Sequence, residues 1–197
     1  MARLIAFGDS FTTGLNKPPQ SRYHVKPYIE YIAEKLGYTL VNTAIDGNSN
    51  PAISTQIMNY TFNEGDLVFI AWSGLIRDYD WQPDNLGFQK ADLLKRGHRI
   101  VEHCLVMSDY AIRATENYLT FNKVNFIMTS AFVEPEFVCE KWPNWISGTL
   151  LEMADGNIEV CQHPDAKGHE IISNYIMEKM NETGTFPLGR KVSPENN

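Results

Sequence analysis

The stretch of sequence that decides the fold is Leu4-Ile5-Ala6-Phe7-Gly8-Asp9-Ser10-Phe11-Thr12-Thr13-Gly14. Its first four residues form a short apolar run, which is typical of a strand buried on both faces of a sheet. Gly8 then allows a sharp turn, and Ser10 falls in or beside the first turn of a helix, where backbone N–H groups have no helical partner. Ligands collect at the carboxyl ends of strands in open α/β sheets. This turn is therefore the first candidate site.

The alternation of apolar runs with amphipathic stretches continues along the chain. Strands are predicted at residues 4–7, 40–43, 67–72, 124–130 and 158–161, and helices at residues 27–36, 51–60, 98–118 and 167–180. Gly37 is placed to end the first of these helices. This order predicts an α/β protein, a three-layer α/β/α sandwich with a parallel sheet of about five strands.

Length and charge limit the classes of function. The 197 residues, 43% of them hydrophobic, suffice for one globular core. Seventeen Lys and Arg residues against 24 Asp and Glu residues give a net charge of −7, which repels nucleic acid and anionic membranes, so neither is expected as a partner. The sequence becomes polar and rich in Gly and Pro near its end, which predicts one domain over residues 1–181 and a flexible tail over residues 182–197. The oligomeric state stays open.

Cysteine usage and the first residues bear on the cellular compartment. Cys104, Cys139 and Cys161 form no paired motif and are expected to be reduced and buried. The first apolar run is too short for a signal peptide. Synthesis and residence in a cytoplasm are expected, and release by lysis or on a virus particle is the alternative.

Two long connections carry aromatic residues. Residues 78–97 include Trp81, and residues 134–157 include Trp142 and Trp145. Long loops in a compact domain are often binding loops, so these three tryptophans are candidates for substrate binding. The alternative is that the rings only cover the edge of the sheet.

Two other loops hold polar candidates. Gly47 and Asn48 follow the second predicted strand, and His163 precedes the last predicted helix. Pro164 keeps His163 out of that helix, so its ring can point across the strand ends. The spacing of His163, Asp165 and His169 fits no zinc pattern, and no metal is expected. His169 falls inside the helix and is expected to bond to the backbone or to water.

Taken together, these residues resemble the SGNH, or GDSL-type, hydrolases. Gly8-Asp9-Ser10 follows the first strand, Gly47 follows the second, and His163-Pro164 lies close to the end of the domain. The resemblance implies a flavodoxin-like sheet, Ser10 as the nucleophile, His163 as the base, and an oxyanion hole drawn in part from the backbone N–H groups of Ser10 and Gly47. It implies no cofactor.

The sequence departs from this family in two places. Gly74 stands where the family has an Asn that donates to the oxyanion, and Val160 stands where the family has the acid that orients the histidine. Asn48 or Ser73 are candidates to replace the lost donor. Asp155, Glu159 or a backbone carbonyl are candidates to hold the His163 ring.

Further candidates surround these motifs. Asp9 and Arg77 are predicted to contact substrate, with a salt bridge from Arg77 to Asp78 or Asp80 as the alternative. Trp72-Ser73 with the downstream Arg77 also resembles GDSL-like proteins of tailed bacteriophages.

The leading hypothesis is a serine esterase that works through a Ser10–His163 dyad or a variant triad. Its expected partner is a small-molecule ester or glycan substrate, and an acyl group on a saccharide is one candidate. The alternative hypothesis is a non-catalytic module of the same fold that binds a glycan or has a structural role.

Overall fold

The computed structural model describes residues 2–16, 23–75, 98–132, 142–159 and 163–183. Within these ranges, the strands are β1 Arg3–Phe7, β2 Leu15–Asn16, β3 Tyr23–His24, β4 Thr39–Asn42, β5 Leu67–Trp72, β6 Asn125–Ser130 and β7 Trp145–Thr149. The helices are α1 Ser10–Thr13, α2 Tyr28–Leu36, α3 Asn50–Met58, α4 His98–Phe121, α5 Leu150–Met153 and α6 Ala166–Thr183.

Five strands form one parallel sheet in the order β4-β1-β5-β6-β7, while β2 and β3 form a small antiparallel pair. The predicted α/β fold with five parallel strands is confirmed. The chain runs outward from β1 to β4 and then crosses to β5 on the other side of β1. Such a reversal opens a crevice between the carboxyl ends of β1 and β5. Ligands bind in this crevice in sheets of this kind.

The two faces of the sheet carry separate cores because successive side chains of a strand point to opposite faces. Leu4 and Ala6 of β1 lie in the core beneath α2 and α6, whereas Ile5 and Phe7 lie in the core beneath α3 and α4. The same alternation runs along β5, where all six residues are buried. A strand that is buried on both faces has a continuous run of apolar residues. Such runs are the reason that β1 and β5 could be predicted from the sequence.

The fifth strand was wrongly predicted at residues 158–161. It is β7, inside the stretch that was expected to be a long loop, and Ile158 makes only an isolated bridge with Pro164. Gly148, with φ 91°, interrupts the apolar pattern of β7, and the register with β6 shifts at this point. Glycine in a strand weakens its sequence signal.

Helix ends follow the predicted capping rules. Gly37 ends α2 in the left-handed conformation, with φ 66°, and its N–H bonds to carbonyls of the last turn. The Ser49 side chain caps α3, which begins at Asn50, one residue before the predicted start. The last helix extends to Thr183, into the predicted tail, and the rest of the tail lies outside the described residues.

Other expectations from the sequence can be compared only with the residues that the structure describes. Cys104 is buried, while Cys139, Cys161 and all of residues 76–97 lie outside the described residues. None of the described helices has the length and apolar character needed to cross a bilayer. The described part of the chain also contains no cluster of three or more His, Cys, Asp or Glu side chains suited to a metal ion.

His169 joins α6 to the start of α2. Its ring is 1% exposed and stacks on the Tyr28 ring, and its Nδ1 accepts the Tyr28 backbone N–H at 3.3 Å. The predicted backbone partner is confirmed. The pKa of His169 is lowered from its ordinary 6.5 to about 4, mainly by burial and also by the nearby His163, while Asp165 partly offsets these effects.

The protonation of His169 predicts an acid-dependent loss of stability. Between about pH 6.5 and pH 4 the unfolded chain binds a proton at His169 that the folded chain does not. The free energy of unfolding should therefore fall across this window as the pH is lowered, by up to about 3 kcal/mol from this residue. Urea denaturation of the wild type and of His169→Gln, at several pH values, measures this contribution.

The control for this prediction is His103→Gln, because His103 is exposed on α4. Its stability should depend on pH as the wild type does, whereas His169→Gln should show a flatter dependence. Equal slopes in all three proteins would contradict the assignment.

Candidate active site

Two residues from opposite ends of the chain meet at the carboxyl edge of the sheet. Ser10 begins α1 directly after β1, and His163 lies just before α6. The Ser10 Oγ and His163 Nε2 atoms are 2.7 Å apart, which is a hydrogen-bond distance. Ser10 is buried and His163 is half-buried. In this arrangement the ring can take the hydroxyl proton, which makes the oxygen a nucleophile.

Gly8 permits the turn that carries Ser10. A Cβ atom at Gly8 would lie 2.4 Å from Thr12 Oγ1 and 3.1 Å from the carbonyl oxygen of Ala71 in β5. A side chain does not fit at the first of these distances. Only glycine therefore allows α1 to lie this close to the end of β5.

Asp9 fixes the first turn of α1. Its Oδ1 accepts the Phe11 N–H at 3.1 Å, and its backbone oxygen accepts the N–H groups of Thr12 and Thr13 at 3.0 and 3.1 Å. Among the described residues, the Ser10 N–H has no acceptor. Because the Asp9 side chain is fully buried in this capping role, it does not fit the predicted role in substrate binding.

The loop after β4 lies beside the Ser10 turn. The Ile45 N–H donates to the Gly8 carbonyl at 3.1 Å, which continues the pairing of β4 with β1 beyond the strand ends. Gly47 follows two residues later with φ 75° and open space around its Cα. Its N–H has no acceptor in the part of the chain that the structure describes. The structure thus brings Gly47 to the same edge as Ser10.

The two proposed replacements for the missing Asn have other partners. Ser73 Oγ donates to Asp9 Oδ2 at 2.7 Å, and the Ser73 N–H donates to Asn50 Oδ1 at 2.8 Å. Both hydrogens of Ser73 are therefore used inside the protein, which does not fit its predicted role as an oxyanion donor. The Asn48 amide donates to Gln56 Oε1 at 2.8 Å and retains a second N–H, so its role stays a prediction.

Backbone hydrogen bonds hold the segment that carries His163. The Glu159 N–H donates to the His163 carbonyl at 2.8 Å, and Ile158 forms a bridge with Pro164. The Phe11 ring lies against the His163 ring, with 5.2 Å between the ring centroids. His163 is therefore held at its backbone carbonyl and at one face of its imidazole ring.

The acid partner of His163 stays a prediction. Asp155 is exposed on the turn after α5, with φ 50°, and Glu159 is half-buried beside the His163 backbone. Of the two, Glu159 is joined directly to the His163 segment. Val160 lies outside the described residues.

Two of the three tryptophans predicted to bind substrate, Trp142 and Trp145, pack in the core of the described structure. Trp145 is 8% exposed and begins β7, so it lies in the core and away from the carboxyl edge of the sheet. Trp142 is partly buried against the same core, with its ring centroid 6.4 Å from that of Trp145. These positions match the alternative in which the rings cover the sheet. Arg77 and Trp81 lie outside the described residues.

Two residues that the sequence analysis did not predict, Phe11 and Asn50, support the site. Phe11 contacts both His163 and Phe132, and Asn50 bonds to Ser73 and to Ser108. Asn50 stands in the run of small and amide residues after β4, which was the available signal. Nothing in the sequence connects Asn50 with residues 73 and 108.

Comparison with known proteins supports the fold. No family model and no curated protein matches the chain. A lipase from a goat rumen metagenome is 13% identical with a TM-score of 0.62, covering 90% of this chain and 97% of that one. A putative lipolytic protein of the G-D-S-L family from Desulfitobacterium hafniense is 14% identical with a TM-score of 0.57, covering 89% and 98%.

A carbohydrate esterase is also similar, at 12% identity and a TM-score of 0.53, over 91% of this chain and 65% of that one. The active site of that esterase displays divergent catalytic and non-catalytic binding functions. The chain therefore has the α/β fold of the SGNH hydrolases, and at these identities the likeness concerns the fold alone.

Gly168 provides a test of how the His163 segment is held. A Cβ atom there would lie 2.3 Å from the Asn157 carbonyl oxygen and 3.2 Å from Pro164 Cβ. Gly168→Ala should force α6 away from the 157–164 segment and lower the free energy of unfolding by about 1–3 kcal/mol. Urea denaturation measures this loss.

Gly74→Ala is the matched control, because in the described part of the chain its Cβ would meet only Phe132, at 3.8 Å. Its stability should equal or slightly exceed that of the wild type. Equal stabilities of the two variants would contradict the close contact at Gly168.

Proposed function

We propose that the protein is a serine hydrolase that cleaves carboxylic esters through Ser10 and His163. The observation that carries this proposal is the 2.7 Å contact between Ser10 Oγ and His163 Nε2 at the carboxyl edge of the sheet. The SGNH fold supports it, because the same edge holds the loops that meet at this dyad.

The reaction proceeds in two halves. Ser10 Oγ attacks the ester carbonyl carbon while His163 Nε2 takes the hydroxyl proton, and a tetrahedral oxyanion forms. The intermediate collapses as the bond to the alcohol oxygen breaks and His163 returns the proton to that oxygen. A water molecule then gives its proton to His163 and attacks the acyl-Ser10 carbonyl, and the acid leaves as the Ser10 hydroxyl is restored.

The backbone N–H groups of Ser10 and Gly47 are the donors to the oxyanion. Both are without an acceptor among the described residues, whereas the hydrogens of Ser73 are used. One oxyanion donor is typically worth about 10² to 10³ in rate. A site without the Asn donor should therefore be slow unless Asn48 supplies its second N–H.

Several finer points rest on the sequence and stay predictions. An acyl group on a saccharide is a candidate substrate, although Trp142 and Trp145 pack in the core beneath α3 and α4. The resemblance to GDSL-like proteins of tailed bacteriophages and the cytoplasmic location are likewise predictions from the sequence.

Single substitutions of the dyad test the proposal. Ser10→Ala removes the nucleophile and His163→Ala removes the base, so each should lower kcat on short-chain and acetyl-sugar esters by about 10³-fold or more. Initial rates on a panel of such esters measure the effect, and circular dichroism checks that each variant is folded. His103→Ala, on the exposed face of α4, should hydrolyse esters at the wild-type rate. Folded dyad variants as active as the wild type would exclude this mechanism.

Restoring the missing donor provides a gain-of-function test. Among the described residues, a Cβ at Gly74 would meet only Phe132, at 3.8 Å, and the backbone there is not left-handed. By the family resemblance, Gly74→Asn should add a donor and raise kcat by about tenfold or more. Gly74→Ala, which adds a side chain without a donor, should leave kcat unchanged. An equal kcat for the two variants would mean that position 74 does not face the oxyanion.

The second candidate function is a non-catalytic binding module. It is favoured by the absence of a side chain at Gly74 and by the internal bonding of Ser73. Such a module would retain a glycan ligand after Ser10→Ala and would hydrolyse no ester. A glycan array probed with the wild type and with Ser10→Ala, beside the ester panel, separates the two functions.

A further inference from the structure

A chain of buried polar side chains runs from α4 to the nucleophile turn. Asn50 Nδ2 donates to Ser108 Oγ at 3.2 Å and to the Ser73 carbonyl at 3.3 Å, and Asn50 Oδ1 accepts the Ser73 N–H at 2.8 Å. Ser73 Oγ then donates to Asp9 Oδ2 at 2.7 Å. All four residues are fully buried. Buried polar groups are costly unless bonded, so these bonds define one arrangement of the turn.

Asp9 is the link between this chain and the proposed oxyanion hole. One carboxylate oxygen accepts from Ser73, and the other accepts the Phe11 N–H at 3.1 Å. With the Asp9 side chain held in this way, the Ser10 N–H stays unbonded by any described residue. Loss of the Ser73 donor would remove one of the bonds that fix this orientation of the carboxylate, beside the N–H of the adjacent Ser10.

We propose that Ser73 and Asn50 are positioning residues, which keep the Asp9 carboxylate on Phe11 and so leave the Ser10 N–H to the oxyanion. The structural part concerns the Asp9 cap alone, and the catalytic part rests on the ester hydrolysis proposed above. Neither residue touches the substrate in this account. Their effect on rate passes through Asp9.

The test compares two serine-to-alanine substitutions of the same chemistry. Ser73→Ala removes the donor to Asp9. Ser54→Ala removes a buried hydroxyl that bonds to Thr115 Oγ1 at 2.8 Å, between α3 and α4, without any bond to Asp9. Each substitution deletes a buried hydroxyl that makes a hydrogen bond to another side chain, so a merely structural role predicts similar consequences for the two variants.

The first readout is hydrogen exchange at the Phe11 and Thr12 amides, measured by NMR on the full chain. Ser73→Ala should speed exchange at Phe11 by about tenfold or more, because the Asp9 cap moves. Ser54→Ala should leave it at the wild-type rate. Equal exchange at Phe11 in both variants would overturn the structural part of the proposal, whether or not the protein hydrolyses esters.

The second readout is the division between kcat and KM on an ester that the wild type cleaves. Ser73→Ala and Asn50→Asp should lower kcat by about tenfold or more with KM little changed, since a misplaced donor weakens only the transition state. Ser54→Ala should retain the wild-type kcat. Faster Phe11 exchange in Ser73→Ala with an unchanged kcat would overturn the catalytic part. If the wild type cleaves no ester, the proposed function fails and the exchange result stands alone.

Discussion

The close approach of the Asp9 turn to β5 is the constraint on which the site depends. Gly8 admits no side chain, because a Cβ there would contact Thr12 and the Ala71 carbonyl. Asp9 then closes α1 with its backbone oxygen and its carboxylate. The same carboxylate bonds to Ser73, just beyond β5. This turn thus orients Ser10 and connects the end of β1 with the end of β5.

The topology explains why distant residues meet at this turn. Because β1, β4 and β5 are parallel, the loops that follow them open on the same edge of the sheet, and the reversal of the chain between β4 and β5 leaves a crevice there. His163 reaches this edge from the segment before α6, and backbone hydrogen bonds hold it there. Ser10 and His163 therefore stand next to β1 and α6, which are both packed in the core.

Much of the fold and half of the site could be predicted from the sequence. Apolar runs revealed β1 and β5, and Gly37 revealed the end of α2, because these signals are local. β7 was missed because Gly148 breaks its pattern and its start lies among residues that resemble a loop. Ser10, Gly47 and His163 follow from position after strands and from family resemblance.

The partners of Ser73 could not be predicted, because they are set by packing between α3, α4 and the Asp9 turn. In the sequence, Ser73 stands beside the position of the missing Asn, which suggested that its hydroxyl replaces that donor. In the structure this hydroxyl donates to the buried Asp9 carboxylate instead. Likewise, aromatic residues in a predicted loop suggested binding, whereas Trp145 is a core residue of an unpredicted strand.

Activation of Ser10 by His163 is the central claim, and covalent labelling tests it without knowledge of the substrate. Intact-mass spectrometry after incubation with a fluorophosphonate would be run on the wild type, Ser10→Ala and His163→Ala. The account predicts a single adduct on the wild type, none on Ser10→Ala, and strongly slowed labelling of His163→Ala. No adduct on the wild type, under conditions that label a control serine esterase, would contradict it.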